Sequence, residues 1–396
     1  GTDVQTVSYV FTPKIDGGDG DDVCGNGVPA PFSIEINPQP RITVTEDDLV
    51  LCYEDTAVFD IVNPNTFNVG GDWRYDVTIT YPADVTGDYG GPSATVVLTD
   101  LQVEGIAAFT DELTNGGTDV QTVSYVFTPK IDGGDGDDVC GNGVPVPVSI
   151  EINPQPRIDV FTDLIICHDD TAAFNITNPN TFNAGGDWRY DVTITYPADV
   201  TGNYGGPSAT VVLTDLQGEG IAAFTDELTN VGTDVQTVSY VFTPKIDGGD
   251  GDDVCGNGVP APVSIEINPQ PRITVTEDDL VLCYEDTAIF DITNPNTFNA
   301  IGDWRYDVTI TYPADVTGAY GGPSATVVLT DLQVEGIAAF TDELTNVGVD
   351  VQTVNYVFTP KIDGGDGDDV CGNGVPVPFS IEINPQPRIC LLYTSD

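Results

Sequence analysis

The stretch Trp73-Arg74-Tyr75-Asp76-Val77-Thr78-Ile79-Thr80 alternates apolar and polar side chains from one residue to the next. Successive side chains of a β-strand point to opposite faces of the sheet, so this pattern predicts a strand with one buried face. The same alternation occurs in residues 57–61, 123–128 and 144–152. The sequence therefore predicts a chain built from short, half-buried strands.

Further short apolar segments complete the predicted fold. Residues 42–44 together with 49–51 are expected to form a first strand, and residues 94–101 a later one. No long stretch has the helical period of about 3.6 residues, although residues 106–113 leave room for one helical turn. Short strands separated by Gly, Pro, Asn and Asp are typical of an immunoglobulin-like β-sandwich, with Trp73 expected in its core.

The chain then repeats this whole pattern. The segment Gly1-Thr2-Asp3-Val4-Gln5-Thr6-Val7 returns at Gly117, at Gly232 and, slightly changed, at Gly348. A period of about 115 residues is one small domain rather than one turn of a solenoid. The Asn-Pro-Gln-Pro-Arg junctions divide the chain into the C-terminal part of one repeat (1–40), three immunoglobulin-like repeats (41–156, 157–271 and 272–387) and a tail (388–396).

The linkers between repeats are short and rich in proline. In Asn153-Pro154-Gln155-Pro156 each proline fixes its own φ and favours an extended neighbour. We therefore expect an all-β chain of tandem immunoglobulin-like domains in an extended rod. The tail 388–396 leaves the period and is expected to be an artefact. Because the chain lacks Met and enters its first repeat midway, we also expect it to be an internal piece of a longer protein.

Composition excludes several classes of partner. The chain has 63 acidic and 11 basic residues, a formal net charge of −52. Nucleic acid and anionic membrane surfaces both need a basic face, so neither is an expected partner. No apolar run approaches the length that spans a bilayer, so we expect no membrane insertion by these residues.

An acidic, glycine-rich run recurs between the last two predicted strands of every repeat. Ca²⁺ takes six to eight oxygen ligands at about 2.3–2.6 Å, and crowded carboxylates repel one another without a cation. The sequence therefore predicts calcium sites, and a solvated acidic turn is the alternative. The candidate ligands are Asp16, Asp19, Asp21, Asp22, Asp132, Asp135, Asp137, Asp138, Asp247, Asp250, Asp252, Asp253, Asp363, Asp366, Asp368 and Asp369.

Strand order places each acidic run at the end of its repeat that faces the preceding repeat. The first turn of that preceding repeat is also acidic, with Glu46-Asp47-Asp48 and Glu54-Asp55. We therefore expect calcium to lie between repeats and to stiffen the rod.

Cysteine usage predicts disulfide bonds of a secreted protein. The candidates are Cys24, Cys52, Cys140, Cys167, Cys255, Cys283 and Cys371, and Cys390 of the tail is set aside. The predicted strands place Cys52 and Cys140 at opposite ends of one repeat, beyond the Cα separation of about 7 Å that a bond allows. The same argument brings Cys52 near Cys255 and Cys167 near Cys371. Bonds between repeats and bonds within a repeat both stay open.

The residues also resemble a known family. The segments Glu112-Leu113-Thr114-Asn115, Val120-Gln121-Thr122-Val123-Ser124-Tyr125-Val126-Phe127-Thr128-Pro129, Cys140-Gly141 and Ile150-Glu151-Ile152-Asn153-Pro154-Gln155-Pro156 are similar to PKD-like repeats of large Bacteroidota cell-surface proteins, including adhesins associated with gliding motility. The resemblance implies an immunoglobulin-like fold, secretion by the type IX route, an extracellular location and adhesive or structural work without catalysis.

The resemblance also implies modification. O-glycans in these bacteria are attached at Asp-Ser/Thr-aliphatic triplets, which makes Thr56, Thr171 and Thr287 candidate glycosylation sites. The alternative is that these threonines are ordinary strand residues.

No enzymatic site is expected. The chain has one His, His168, where the other repeats have Tyr53 and Tyr284, so no His-dependent catalytic set can recur. The sequence therefore predicts a stiff, acidic, calcium-stabilised stalk or fibre on a bacterial surface, whose partners are neighbouring repeats, other copies in a fibre, or surface glycans. The alternative function is a calcium-dependent glycan-binding module that uses an exposed aromatic residue such as Tyr89.

Overall fold

The computed structural model describes residues 1–389 apart from 19, 21–23, 47, 67–70, 103–107, 133–140, 183–185, 218–223, 248–254, 278, 299–302, 334–338 and 364–370. All regular secondary structure within these residues is β-strand, which confirms the predicted all-β class. The chain divides into two compact units. The first contains Gly1–Ile158, Asn178–Arg189 and Thr243–Val259, and the second contains the remaining segments up to Asp396.

The first unit contains an N-terminal hairpin and the complete repeat 41–156. The hairpin consists of the antiparallel strands β1 (Gln5–Phe11) and β2 (Ala30–Ile36). The repeat consists of β3 (Thr43–Glu46), β4 (Val50–Leu51), β5 (Asp55–Val62), β6 (Asp72–Thr80), β7 (Val85–Thr86), β8 (Thr95–Gln102), β9 (Phe109–Asn115), β10 (Gln121–Asp132) and β11 (Val146–Ile152).

These strands form a four-stranded sheet of order β3-β5-β9-β7 and a five-stranded sheet of order β4-β11-β10-β6-β8. The alternation in β6 places Tyr75, Val77 and Ile79 on the inner face, as the sequence predicts. Phe59 of the first sheet meets Tyr125 of the second, with ring centroids 4.6 Å apart. One apolar core therefore lies between the two sheets, and its burial is the main stabilising term of the repeat.

The second unit contains the repeat 272–387 and most of 157–271. Strand β15 begins, and strand β19 ends, in segments that are assigned to the first unit. The strands of 157–271 are β12 (Asp159–Phe161), β13 (Ile165–Ile166), β14 (Asp170–Thr177), β15 (Asp187–Thr195), β16 (Val200–Thr201), β17 (Thr210–Gln217), β18 (Phe224–Asn230), β19 (Gln236–Asp247) and β20 (Ala261–Ile267).

The strands of 272–387 have the same order and pairing as those of 41–156. They are β21 (Thr274–Glu277), β22 (Val281–Leu282), β23 (Asp286–Thr293), β24 (Asp303–Thr311), β25 (Val316–Thr317), β26 (Thr326–Gln333), β27 (Phe340–Asn346), β28 (Gln352–Asp363) and β29 (Val377–Ile383). The sheets are β21-β23-β27-β25 and β22-β29-β28-β24-β26, so this repeat is the same immunoglobulin-like sandwich.

Three local expectations were wrong. A helical turn over 106–113 is excluded where the structure describes that segment, because Phe109–Asn115 is strand β9 with every second side chain buried. The expected first strand is two strands, since β3 pairs with β5 in one sheet and β4 pairs with β11 in the other. Trp73 lies half-buried near the start of β6, and the centre of the core holds Phe59, Tyr125 and Phe127.

Candidate functional site at the repeat junctions

The place where one repeat ends and the next begins is here called a repeat junction. The junction of 1–40 with 41–156 and that of 41–156 with 157–271 have their contacts inside the first unit. The contacts of 157–271 with 272–387 lie inside the second unit. The same residue types meet at all three junctions, so these are the candidate functional sites of the chain.

Cys52 stands at the end of its repeat where the linker starts. It follows β4 directly, and β4 pairs in parallel with the end of β11 through Leu51 and Ile152. The turn after Cys52 is closed by the Asp55 N–H, which donates to the Cys52 carbonyl at 3.2 Å. Glu54 within this turn has a left-handed φ of 59°. The local backbone therefore holds the Cys52 thiol beside the start of the next repeat.

Two disulfide bonds each join one repeat to the next. Cys52 is bonded to Cys255 over a sequence separation of 203 residues, with Cα atoms 5.2 Å apart. Cys167 is bonded to Cys371 over 204 residues, with Cα atoms 5.3 Å apart. In both bonds the first cysteine follows the second strand of its repeat, and the second lies between the last two strands of the following repeat. These are the two cross-repeat pairs that the strand argument brings together.

The remaining cysteines differ from these four. Cys24 and Cys283 are exposed, and neither is disulfide-bonded to another cysteine that the structure describes. Cys140 lies outside the described residues.

The segment after Cys255 lies directly against the linker. The Gly258 N–H donates to the Pro244 carbonyl at 2.7 Å, and the Val259 N–H donates to the Pro156 carbonyl at 2.9 Å. A Cβ on Gly258 would overlap the Pro156 carbonyl, so only glycine allows this approach. The matching glycines of the other two junctions are Gly143 against Pro40 and Gly374 against Pro271.

The proline-rich linker is packed against its repeat. The Asn153 N–H and its Nδ2 group both donate to the Leu51 carbonyl, at 2.8 and 3.0 Å. Asn153, Pro154 and Pro156 are buried. Because proline has no N–H, burial of these two residues leaves no backbone donor without a partner. The linker is thus a fixed element of the junction.

An Asn-Thr pair of each repeat binds the preceding repeat. The Thr181 N–H donates to the Thr118 carbonyl at 3.0 Å, and the Val120 N–H donates to Thr181 Oγ1 at 3.0 Å. Asn180 Nδ2 also donates to the Thr118 carbonyl, at 3.3 Å. Asn65-Thr66 and Asn296-Thr297 make the corresponding contacts with Thr2 and Thr233.

The regularly spaced arginines belong to the same junctions. The Arg157 N–H donates to Asn180 Oδ1 at 2.7 Å, and its guanidinium donates to the Gly116 carbonyl at 3.4 Å. Arg272 makes the equivalent bonds to Asn296 and Val231. Arg157 therefore ties its repeat to the turn between β9 and β10 of the previous repeat, and Arg272 does the same at the turn between β18 and β19.

Most of the predicted calcium ligands fall outside the described residues. These are Asp19, Asp21, Asp22, Asp135, Asp137, Asp138, Asp250, Asp252, Asp253, Asp366, Asp368 and Asp369. The first Asp of the run is described in two repeats and faces an arginine, with Asp132 Oδ2 3.9 Å from Arg74 Nε and Asp247 Oδ2 3.7 Å from Arg189 Nε. Asp16 is exposed and accepts from the Gly18 N–H at 2.9 Å. In the part of the chain that the structure describes, no group of three or more ligand-type side chains is assembled.

A buried carboxylate was not singled out from the sequence. Asp111 on β9 is 0% exposed and accepts hydrogen bonds from Tyr81 Oη at 2.7 Å, Tyr125 Oη at 2.8 Å and the Asp88 N–H at 2.8 Å. Burial raises the pKa of Asp111 above its usual 3.8, although the two tyrosine hydroxyls act in the opposite direction. Asp226 and Asp342 are held in the same way. The signal in the sequence was the inward register of Asp111 between Phe109 and Leu113.

Lys130 links three strands on the other sheet. Its Nζ lies 2.8 Å from Asp76 Oδ1 and 2.7 Å from Asp100 Oδ1, and the side chain is almost fully buried. Burial alone lowers the pKa of Lys130, but the hydrogen bonds that its ammonium group donates to Asp100 and Asp76 outweigh burial and raise that pKa above 10.5. Asp100 has a left-handed φ of 62° where β8 is irregularly paired with β6, and this bend directs its carboxylate to Lys130.

The other predicted sites lie on the surface. Thr56 and Thr171 are exposed, and Thr287 is half-buried, each on the third strand of its repeat. Tyr89 is 39% exposed and stacks on Phe109 with ring centroids 5.3 Å apart. No helix long and apolar enough to cross a bilayer occurs among the residues that the structure describes.

Comparison with known proteins identifies no family. No family model and no curated protein matches the chain. Among solved structures, the chain is similar to FdeC, an Escherichia coli adhesin, with 13% identity, 86% of this chain and 96% of that chain covered, and a TM-score of 0.30. It is also similar to three N-terminal domains of the outer capsid protein Hoc of bacteriophage RB49, with 8% identity, coverage of 88% and 100%, and a TM-score of 0.30. Likenesses of this size carry no argument about function.

Proposed function

We propose that this chain is an extracellular structural protein, a stalk or fibre segment in which disulfide bonds join each repeat to the next and hold the junctions stiff. The observation that carries the proposal is the pair of bonds Cys52–Cys255 and Cys167–Cys371, which follow one pattern at successive junctions. A bond across a junction adds little to the core of either repeat, so its main effect is to restrict motion between them.

The contacts around the bonds support the same function. At each junction an Asn-Thr pair and a glycine held against a proline carbonyl act together, and at the two bonded junctions the linker is largely buried as well. Repetition of one joint with almost unchanged sequence is what a periodic load-bearing chain requires. It would give an enzyme no advantage.

The chemistry of the chain also supports an extracellular location as part of this proposal. Disulfides persist in oxidising environments such as the cell exterior. A net charge of −52 keeps the chain soluble through self-repulsion. The sequence resemblance to Bacteroidota surface repeats supports a cell-surface location and secretion from such a bacterium.

Small-angle X-ray scattering on the full chain tests the stalk. The oxidised chain is expected to give the profile of a stiff rod, and the double variant Cys52→Ser/Cys167→Ser a profile of flexibly joined domains. Cys283→Ser, which removes an unbonded thiol, is the matched control and is expected to scatter like the wild type. A flexible profile for the oxidised wild type would overturn the proposal.

Calcium belongs to this proposal as a second stiffening element. Asp135, Asp137 and Asp138 and their equivalents would supply the oxygen ligands, while Asp132 is already near Arg74. Metal analysis of the purified chain tests this role of calcium. We expect bound calcium, and we expect both the calcium content and the melting temperature to fall when a chelator is added. If the chain binds no divalent ion, or if its melting temperature is unchanged by the chelator, the acidic run is a solvated turn and not a calcium site.

The second candidate function is glycan binding, which one observation favours. Tyr89 presents one ring face while Phe109 supports the other, and Tyr204 and Tyr320 are stacked in the same way on Phe224 and Phe340. A glycan array with the full chain and with Tyr89→Ala/Tyr204→Ala/Tyr320→Ala separates the functions. Specific binding that the triple variant loses would favour the module, and no binding by the wild type would favour the stalk.

A further inference from the structure

Strand β8 forms an open edge of the five-stranded sheet. It stands last in the order β4-β11-β10-β6-β8, and among the described residues no strand pairs with its other side. The opposite end of this sheet is β4, with two residues, and the four-stranded sheet ends in β3, with four, and β7, with two. Because β8 has eight residues, it is the longest open edge among the described strands of the repeat.

The open edge presents backbone donors and acceptors. The Tyr81 N–H donates to the Ala94 carbonyl at 2.9 Å, so Ala94 directs its carbonyl toward β6. Backbone direction alternates along an antiparallel strand, so Val96 also faces β6, while Thr95 and Val97 direct their N–H and carbonyl groups to the open side. A strand laid along β8 would bond to these groups.

The edge is apolar on both of its faces. Val97 is 58% exposed on the outer face, and Val212 and Val328, in the same position of the other repeats, are 59% and 58% exposed. Val96 and Leu98 lie at the rim of the core and are half-buried. An edge of this kind attracts another strand unless a charge, a proline or a bulge protects it.

The nearest carboxylate on this strand is already paired with a cation. Asp100 follows the regular part of β8, at the point where the pairing with β6 is irregular. Lys130 Nζ lies 2.7 Å from Asp100 Oδ1 and 2.8 Å from Asp76 Oδ1. Residues 95–98 themselves carry no charge. A second acidic chain therefore meets little electrostatic repulsion along this stretch.

We propose that two copies of this chain associate side by side, with β8 of one copy paired in antiparallel orientation with β8 of the other. The Val97 N–H of each copy donates to the Thr95 carbonyl of its partner, and the Thr95 N–H donates to the Val97 carbonyl. The two-fold axis passes between the two Val96 residues. Residues 210–213 and 326–329 repeat the same sequence, so each repeat offers this contact.

The pattern of the edge favours a second copy as its occupant. In the antiparallel register Val97 meets Thr95 on the outer face, and Val96 meets Val96 at the rim of the core. Asp100 lies opposite Pro92, so no carboxylate faces another one across the contact. Such an isologous contact joins copies in pairs at each edge. It goes beyond the stalk function and does not depend on the junction disulfides.

Analytical ultracentrifugation of the full chain tests the contact, with the thiols of Cys24 and Cys283 alkylated so that they cannot crosslink copies. The wild type is expected to associate reversibly as its concentration rises. High salt is expected to strengthen association, because it screens repulsion between acidic chains. In the same samples, hydrogen exchange at the Thr95 and Val97 amides is expected to slow on association.

The triple variant Val97→Pro/Val212→Pro/Val328→Pro removes one N–H from each open edge, where proline is tolerated because that N–H does not bond to β6. Its dissociation constant is expected to rise by about tenfold or more, since each contact loses two hydrogen bonds. Val97→Thr/Val212→Thr/Val328→Thr keeps the N–H and is the matched control, expected to associate nearly as the wild type does.

A second variant covers the case in which the prolines disturb the fold. Val97→Lys/Val212→Lys/Val328→Lys places a charge on each edge and is expected to be monomeric, although it lowers the net negative charge. Val58→Lys/Ala173→Lys/Ile289→Lys adds the same charge to exposed positions of inner strands and is expected to associate like the wild type.

Several outcomes would overturn the inference. These are a wild type that stays monomeric at every concentration, association that high salt weakens, and association that persists in the lysine variant at the edges. Dimers in which the Val97 amide exchanges as fast as in the monomer would also place the contact elsewhere. None of these results touches the stalk proposal, which depends on the stiffness of the oxidised chain.

Discussion

Cys52 and Cys255 are 203 residues apart in sequence and 5.2 Å apart between their Cα atoms, with one of them in each of two successive repeats. The bond closes a loop of 203 residues, and replacing Cys52 with Ser removes this bond, so the two repeats can move more freely at their junction. We expect the free energy of unfolding to fall by about 2–5 kcal/mol, the usual cost of losing a native disulfide. Calorimetry at a concentration where the chain is monomeric measures the loss. Cys283→Ser is the control and should melt like the wild type; equal melting of Cys52→Ser would contradict the prediction.

Gly258→Ala tests the close approach of the loop to the linker. The added methyl group would overlap the Pro156 carbonyl, so the loop has to move and the Val259–Pro156 hydrogen bond is lost. We expect a loss of about 1–3 kcal/mol and slower formation of the Cys52–Cys255 bond during oxidative refolding. Gly206→Ala is the matched control, because a Cβ there has nothing within 4 Å. Equal rates of bond formation in the two variants would show that the junction tolerates the methyl group.

Asp111→Asn tests the buried carboxylate and its pH dependence. The amide keeps only one acceptor oxygen for three donors, so we expect a loss of about 1–3 kcal/mol. Burial raises the pKa of Asp111 above 3.8, so the folded chain holds this proton where the unfolded chain has released it. The stability that this group contributes is complete below pH 3.8 and declines as the pH rises through the raised pKa. Denaturant titrations from pH 3 upward should therefore show the advantage of the wild type shrinking; a constant difference would refute the shift.

Lys130→Met tests the ion pairs between β10, β6 and β8. The variant leaves Asp76 and Asp100 without their cation, and we expect a loss of about 1–3 kcal/mol because both carboxylates keep some contact with water. The pKa of Lys130 is raised above 10.5, so its contribution is complete below that pH and is lost as the pH rises through the raised value. Lys14→Met is the matched control at the equivalent, exposed position of the N-terminal segment. Thermal scans at pH 7 and pH 11 should differ for the wild type more than for Lys130→Met.

Alternation of side chains was enough to predict most of the sandwich. Tyr75, Val77 and Ile79 face the core because a strand has a period of two. The rule failed at β9, where the inward positions include Asp111 and Asn115, because a charged or amide side chain inside a core is recognised only when its partners are known. Those partners come from other strands, as Tyr125 does from β10.

The repeat junctions could also be predicted from the sequence only in part. Repetition and the inferred strand order placed Cys52 near Cys255, but a bond within one repeat stayed open until the structure showed the pair. The hydrogen bonds of Thr181 were not predictable, because they depend on the rotation between two repeats. The burial of Pro154 and Pro156 was also hidden, since a proline-rich linker has the same sequence whether it is packed or free.

The bonded cysteines occur along the chain in the order Cys52, Cys167, Cys255 and Cys371, so the two loops that they close overlap. A protease that cuts once anywhere from Cys52 to Cys371 cuts inside at least one loop, and both pieces remain attached through sulfur. Within the span of these two loops, a part of the molecule is therefore shed only after more than one cut, so the overlapping bonds protect the chain against proteolysis.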